Sequence, residues 1–151
     1  MIRDDIKSAL IAAMKAGNKA ATGTIRMVQA AIKNRDIELR TSSAKPDDDV
    51  LVSEVLQKMV KQRRESILLY EQGGRTDLAE AEKAEVAVIE RFLPAMLSDD
   101  ETRAAIETIK AEIGAAGIKD MGKVMAELKT RHAGTLDMSR ASALVKAALA
   151  G

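Results

Sequence analysis

The chain has 151 residues, the usual size of one domain or of a helical domain with a small second one. It contains no cysteine, which excludes disulfides, thiolate metal ligands and a cysteine nucleophile. Its 24 basic and 23 acidic side chains give a net charge of +1, which excludes a global attraction to nucleic acid or to anionic lipid. The cysteine-free composition fits a reducing compartment, and we therefore expect a cytoplasmic protein.

Helix-forming residues dominate the composition, and the chain has only two prolines and two aromatic side chains, Tyr70 and Phe92. The N-terminus starts with acidic residues where a signal peptide needs a cationic and then an apolar segment. No run of about 18 apolar residues occurs, so we expect neither export nor a membrane-spanning segment.

Apolar residues at spacings of three and four predict the first two helices. Helix one covers residues 2 to 16 and stops at Gly17-Asn18. Helix two covers about residues 19 to 40, and the positions between its apolar residues are largely basic. The polar segment 41 to 46 breaks the pattern, so a third helix is expected to begin near residue 47.

Helices three and four are predicted to form a pair joined by a tight turn. Three aspartates at 47 to 49 place negative charge at the start of helix three, where the helix dipole favours it. Gly73-Gly74 closes this helix, because glycine adopts the left-handed cap conformation without strain. Thr76-Asp77 are expected to cap helix four, which ends near Pro94.

Three shorter helices are predicted after the proline. Ser98 and Glu101 form a capping box that starts helix five, and Gly114 with Gly117 ends it. Helix six opens at Asp120 and ends at Gly134, and helix seven begins near Asp137.

The predicted fold class is therefore all-α, with a four-helix N-terminal lobe joined by a proline-marked linker to a small three-helix C-terminal lobe. The corresponding domain boundaries are residues 1–93 for the first lobe, 94–98 for the linker and 99–151 for the second lobe.

Catalytic motifs are absent from the sequence. His132 is the single histidine, and its place at the end of helix six is explained by the helix dipole and by solvent. No serine lies in a Gly-x-Ser-x-Gly elbow, and Gly73-Gly74 is not followed by the Lys-Ser/Thr pair of a phosphate loop. The sequence thus predicts no catalytic residue, no metal ligand and no cofactor.

Local basic patterns are the remaining chemical signal. Residues 58 to 64 hold four cations and no acid, namely Lys58, Lys61, Arg63 and Arg64. Residues 119 to 146 hold six cations against three acids. Such a pattern fits either phosphate contacts or a solvated helix face. Because aromatic stacking platforms are lacking, the backbone of a nucleic-acid duplex is the favoured target.

Four blocks of sequence, taken in order, resemble the successive signatures of the GatB/YqeY family. They are Gln62-Arg63-Arg64-Glu65-Ser66, the segment Tyr70–Leu78, Phe92-Leu93-Pro94 and the segment Asp120–Met125. Ile25-Arg26-Met27 in helix two resembles the opening block of the same family. The order and spacing of these blocks match over nearly the full chain.

This resemblance implies a relation to the tail of the B subunit of the tRNA-dependent amidotransferase, an enzyme that uses glutamine as nitrogen donor. The tail is understood to contact tRNA in that enzyme. The family is commonly described by carbon-nitrogen ligase activity with glutamine as amido-N-donor, but the catalytic parts of the amidotransferase lie outside this region. The resemblance therefore implies RNA contact without intrinsic catalysis.

The C-terminal block implies that Gly122 and Lys123 belong to an RNA-facing surface, with Gly134 and Asp137 shaping the next turn. Close helix packing is the alternative role for Gly122. This turn departs from the family pattern, because Leu136-Asp137-Met138 stands where many relatives have a small residue, Asp and Gly. The full set of predicted nucleic-acid-binding residues is Lys61, Arg64, Lys119, Gly122, Lys123, Arg131 and Arg140.

Three functional hypotheses follow. The first is a non-catalytic module that binds structured RNA, foremost tRNA, and assists a translation or tRNA-modifying enzyme. The second is an accessory subunit of a glutamine-dependent tRNA amidotransferase. The third is a protein adaptor that uses the alanine and methionine faces of helices three and four, including Met59 and Ile67.

Overall fold

The computed structural model describes residues 1–43 and 45–150. Ala44, in the predicted break between helices two and three, and Gly151, at the end of the predicted C-terminal domain, lie outside the described residues. The described chain is helical and contains no strand, which confirms the predicted all-α class. Its helices are α1 (Ile2–Lys15), α2 (Lys19–Leu39), α3 (Asp48–Gln72), α4 (Thr76–Glu90), α5 (Asp99–Ile113), a 3₁₀ turn (Ile118–Asp120), α6 (Met121–Arg131) and α7 (Met138–Ala150).

Two compact units make up the chain, Met1–Leu93 with α1 to α4 and Pro94–Gly151 with α5 to α7. Each unit buries its own set of side chains, and nearly all of these are Ile, Val, Leu, Met or Ala. Within the described residues, no helix is both long enough and apolar enough to cross a membrane.

In the N-terminal unit, α2 and α3 each pack against the other three helices. Ile25 and Val28 of α2 are fully buried together with Val52 and Leu56 of α3 and Ile89 of α4. Apolar residues three and four positions apart in the sequence therefore meet in one core, as helical periodicity predicts.

The α3–α4 turn and the start of α5 show the predicted end signals. Gly74 has a φ of 72°, the left-handed conformation that glycine adopts at a helix end. The Ser98 hydroxyl accepts a hydrogen bond from the Glu101 amide at 3.1 Å, which caps α5. Gly114 ends α5 with a φ of 68°. These are local interactions, so the sequence alone sufficed to predict them.

Two predicted helix boundaries were wrong in detail. The N-cap of α4 is Arg75 and makes no side-chain capping bond, whereas Thr76 already lies in the helix. The Asp77 carboxylate instead accepts from the Arg75 guanidinium at 3.2 Å, and this bond lowers the pKa of Asp77. At the other boundary, α6 ends at Arg131 rather than at Gly134.

An ion-pair cluster fastens the first three helices together. The Arg3 guanidinium of α1 donates to Asp36 of α2 at 2.9 Å and to Asp48 of α3 at 2.8 Å. The backbone amide of Ile2 donates to the carboxylate of Asp49 at 3.0 Å. The bond from Arg3 lowers the pKa of Asp48, and its two carboxylate partners raise the pKa of Arg3. The cluster is about two-fifths exposed, so solvent weakens it.

Core truncation in the C-terminal unit gives a first test of this architecture. Leu128→Ala should lower the free energy of unfolding of that unit by about 3 kcal/mol, because a fully buried side chain leaves a cavity. Hydrogen–deuterium exchange of the full chain should show faster exchange in α5 to α7. Leu69→Ala is the control, since Leu69 is 68% exposed and its truncation should cost less than about 0.5 kcal/mol. Unchanged exchange in α5 to α7 would contradict the assigned core.

The Arg3 cluster predicts a pH dependence of stability. The folded state lowers the pKa of Asp48, so the ion pair with Arg3 stabilises the fold fully at pH values above the pKa of Asp48 in the unfolded chain. This stabilisation is lost as the pH falls from that pKa to the lower pKa of Asp48 in the folded protein. Asp48→Asn should therefore lower stability at neutral pH by about 1 kcal/mol and flatten the acidic loss. Urea unfolding between neutral and acidic pH measures this. Glu54→Gln, at an exposed position of α3, should leave the pH profile unchanged.

Candidate functional site

Three of the predicted RNA-binding residues lie together where α6 begins. Lys119 belongs to the 3₁₀ turn, and Gly122 and Lys123 are the second and third residues of α6. All three are exposed. Neither lysine forms a salt bridge with a described residue. The first turn of α6 contains no acid, so its backbone amides and the positive end of its dipole meet two cationic side chains.

Asp120 is the one carboxylate between these lysines. Its Oδ2 atom accepts a hydrogen bond from the Ala116 amide at 3.0 Å, which stabilises the turn before α6. This bond, the Gly117 amide and the charges of Lys123 and Lys119 lower the pKa of Asp120, so it remains anionic at neutral pH. The local charge at the start of α6 is therefore +1.

Gly122 does not serve close helix packing. A Cβ built on this residue would meet no heavy atom within 4 Å beyond its own chain neighbours and helix backbone. Its φ lies outside the left-handed range, so no special conformation requires glycine either. The packing interpretation of Gly122 was therefore wrong. What the glycine provides is an uncovered stretch of backbone at a helix N-terminus.

The two arginines predicted in the C-terminal unit already have carboxylate partners. Arg131, at the opposite end of α6, donates to Glu127 at 2.9 Å and to Glu112 of α5, and both bonds raise the pKa of Arg131. Arg140, in the first turn of α7, donates to Asp99 at 2.9 Å. Eight residues separate Lys123 from Arg131, which corresponds to about 12 Å along the helix. The structure does not group these arginines with the lysines.

Acids of α4 pair with the two arginines of the basic cluster of α3. Arg63 donates to Glu85 at 2.9 Å and has only 15% of its side chain exposed, so it belongs to the helix–helix packing. Arg64 is exposed and donates to Glu90. Lys61 is exposed and takes part in a side-chain interaction of its own. Because the compensating acids lie more than twenty residues further along the chain, the sequence window around α3 could not reveal them.

The remaining polar residues of interest have structural roles. His132 is the C-cap residue of α6, and its carbonyl accepts from the Thr135 hydroxyl at 3.1 Å. The Asp137 carboxylate accepts from the Ser139 amide at 3.0 Å and thereby caps α7. Gly134 has a φ of 82°, which the connecting turn requires. Among the described residues, no group of three or more Asp, Glu or His side chains is arranged to bind a metal ion.

The two apolar residues predicted to contact a protein partner lie in or against the core of the N-terminal unit. Met59 is 7% exposed and belongs to the core, and Ile67 packs against that core. The exposed apolar side chains of α3 are Leu68 and Leu69, with 59% and 68% of their surface exposed. The sequence does not single out either residue, because whether a leucine is buried or exposed depends on the tertiary structure.

The described residues form two compact all-α units, with a few exposed cations that have no salt-bridge partner among them. These features define a class of helical protein, but they do not specify an activity. The family model described as Yqey-like protein matches residues 3–149. The chain therefore belongs to the YqeY-like family, as its sequence blocks predicted.

Curated relatives support this assignment. The chain is 32% identical over 152 aligned residues to "Altered inheritance of mitochondria protein 41, mitochondrial" of Eremothecium gossypii, covering 99% of this chain and 79% of that protein. Proteins with the same name in Clavispora lusitaniae and Kluyveromyces lactis are 34% and 31% identical. Those matches cover 76% and 74% of this chain, and only 63% and 58% of the relatives.

The cytoplasmic prediction was wrong by this comparison. The names of these relatives point to mitochondria rather than to cytoplasm. Absence of cysteine was the basis of the prediction, and it distinguishes reducing from oxidising compartments only. It contains no information that separates one reducing compartment from another.

Alanine substitution tests the account of Gly122. Gly122→Ala should raise the free energy of unfolding by about 0.5–1 kcal/mol, because alanine favours the helix and the added Cβ meets open space. Gly114→Ala should instead lower it by about 1 kcal/mol, because Gly114 has a left-handed φ. Urea unfolding of both variants measures the difference. Destabilisation by Gly122→Ala would show that the glycine does serve packing.

Proposed function

We propose that this protein is a non-catalytic helical module that binds structured RNA, foremost tRNA. Lys119, Lys123 and the exposed backbone at Gly122 are the phosphate contacts. The observation that supports this proposal is the pair of exposed lysines at the start of α6, neither of which forms a salt bridge with a described residue.

The chemistry of this site suits a phosphate group. Amides in the first turn of a helix commonly lack intrahelical acceptors, and the helix dipole adds positive potential at the same place. At α6 the Met121 amide already donates to the Ile118 carbonyl of the 3₁₀ turn, so the amides that follow it are the ones proposed to bind phosphate. A side chain at position 122 would stand between these amides and a ligand, whereas glycine permits close approach. Two lysines supply flexible charges that adapt to an irregular backbone.

Arg131, Arg140, Lys61 and Arg64 have a secondary place in this proposal. Each arginine would have to exchange a carboxylate for a phosphate, so the gain is the difference between two ion pairs rather than one full contact. They contribute to the general potential, whereas Lys119 and Lys123 contact the RNA directly.

Protein contact is the second candidate function. Leu68 and Leu69 of α3 are more than half exposed and adjacent in the chain, as expected of a small docking patch. A translation or tRNA-modifying enzyme is the partner that fits a module holding tRNA. In this arrangement the chain presents RNA to an enzyme. An accessory subunit of a glutamine-dependent tRNA amidotransferase would be one example of such a role.

Charge reversal tests the RNA proposal. Lys119→Glu/Lys123→Glu should weaken binding of the full chain to bulk uncharged tRNA at least tenfold, because two phosphate contacts are lost. The slope of log K against log salt should fall by about 2. Fluorescence anisotropy at about 50 and 200 mM salt measures both quantities. A DNA duplex of similar length shows whether the protein prefers tRNA.

Lys129→Glu/Lys146→Glu is the matched control within the same unit. Both lysines are exposed, neither forms a salt bridge with a described residue, and the change in net charge is identical. An equal loss in both double variants would mean that net charge, and not the start of α6, governs binding. If the wild-type protein binds neither tRNA nor the DNA duplex, the RNA proposal is contradicted and protein contact becomes the favoured function. A pull-down with a tRNA-modifying enzyme would then test that function, with Leu68→Asp/Leu69→Asp as the variant expected to lose the contact.

A further inference from the structure

The α1–α2 region concentrates the positive charge of the chain. Residues 6 to 35 contain no acid and six cations, namely Lys7, Lys15, Lys19, Arg26, Lys33 and Arg35. Since the chain has 24 cations and 23 acids in total, the 18 cations elsewhere face all 23 acids. The N-terminal unit therefore has a strongly cationic segment on a chain that is close to neutral overall.

Three of these six cations begin a row on the outward face of α2. Lys19, Arg26 and Lys33 are exposed and seven residues apart, and Arg40 continues the spacing just after the helix. Seven residues span about 10.5 Å along a helix and turn by only about 20°, so the side chains follow one line. The buried residues of α2, such as Val28 and Ile32, lie on the opposite face.

Neighbouring acids do not neutralise this row. No salt bridge within the described part of the chain includes Lys19, Arg26, Lys33 or Arg40. Other arginines of the same unit, such as Arg3 and Arg63, do have carboxylate partners. The row does not serve helix stability either, because Lys19 occupies the first turn of α2, where the dipole disfavours a cation and no acid is present.

The side chains between the cations are small. Ala20, Gly23 and Ala30 are exposed on this side of α2, and a Cβ added at Gly23 would meet nothing within 4 Å. Met27 and Ile37 are the large apolar side chains of α2 that are exposed, at 41% and 45% of their surface. A lipid-binding helix face has a continuous stripe of large apolar or aromatic anchors, whereas α2 exposes these two and no aromatic residue. A row of cations over small side chains instead fits a phosphate backbone that approaches closely.

We propose that the outward face of α2, formed by Lys19, Arg26, Lys33 and Arg40, is a second nucleic-acid surface that binds the phosphate backbone of structured RNA. It acts through charge and shape rather than base contacts, because its cations recur every seven residues and α2 has no aromatic side chain that could stack on a base. This inference shares its ligand with the proposed function but rests on a different unit and on different residues.

Arg26→Glu/Lys33→Glu in the full chain is the test. Both side chains are exposed and have no salt-bridge partner among the described residues, so the helical circular dichroism should not change. Affinity for bulk tRNA should fall at least tenfold at low salt, and the salt slope should fall by about 2. Arg26→Gln/Lys33→Gln, which removes charge without reversing it, should give a smaller loss of affinity and the same loss of slope.

Lys58→Glu/Arg91→Glu is the matched control. These residues are exposed cations of the same unit, on α3 and after α4, and neither forms a salt bridge with a described residue. Affinity should change less than about threefold, since they lie outside the row. An equal loss in the control and the α2 variant would overturn the proposal, because net charge alone would then explain binding.

Comparison with Lys119→Glu/Lys123→Glu separates this inference from the proposed function. If only the α6 variant loses tRNA, the α2 surface is overturned and the α6 site stands. If only the α2 variant loses tRNA, the α2 surface stands and the α6 site fails. A third outcome is that the wild-type protein does not bind tRNA but binds vesicles of equal parts phosphatidylcholine and phosphatidylserine, and that the α2 variant loses vesicle binding. This outcome would overturn the proposal, because the ligand of the α2 surface would then be an anionic membrane and not RNA.

Discussion

The N-terminal unit depends on the packing of α2 and α3, each of which contacts the other three helices. For α2 this packing restricts which residues can face outward. Ala21, Ile25, Val28 and Ile32 must all face inward, so only one side of the helix is left for solvent or for a ligand. Helices with this pattern usually pair their outward cations with acids four residues away. Here the outward side has none before Asp36, and that acid already binds Arg3. Ion pairing within the helix therefore does not account for these cations.

Ion pairs decide which cations are available to a ligand. Arg63, Arg64, Arg131 and Arg140 are each held by a carboxylate of another helix. Exposed pairs of this kind contribute little to stability, but they lower the positive potential at the surface and place the guanidinium in one geometry. Lysines without such partners keep both charge and freedom. The structure therefore moves the functional interpretation from the arginine clusters to Lys119, Lys123 and the α2 row.

The helices themselves were predictable because their determinants are local. Apolar spacing gave the helices, and Gly74 and Gly114 gave helix ends that need a left-handed residue. The site was predictable only in part. Whether Arg64 is neutralised depends on Glu90, 26 residues away, and whether Gly122 packs against a neighbour depends on the whole tertiary structure. Windows of one or two helix turns contain neither fact.

The sequence shows that helix two is basic between its apolar residues, but the same limitation hides the fact that these cations form a row. A search for cations within one turn finds residues 58 to 64, whereas the row has one cation in every seven positions. The sequence feature that indicates the row is the absence of acids over residues 6 to 35. This feature is detected only when charged residues are counted over both α1 and α2 together.

Charge arithmetic also indicates which surface matters more for affinity. Each phosphate neutralised by the protein adds about 0.9 to the salt slope, so binding strength follows the number of unpaired cations. The start of α6 has two lysines and one acid, a net charge of +1. The α2 row has four cations, and the two acids of this helix, Asp36 and Glu38, pair with Arg3 and Arg35, which are not in the row. If both surfaces bind RNA, α2 supplies most of the electrostatic free energy, and the uncovered backbone at Gly122 supplies the more geometrically specific contact.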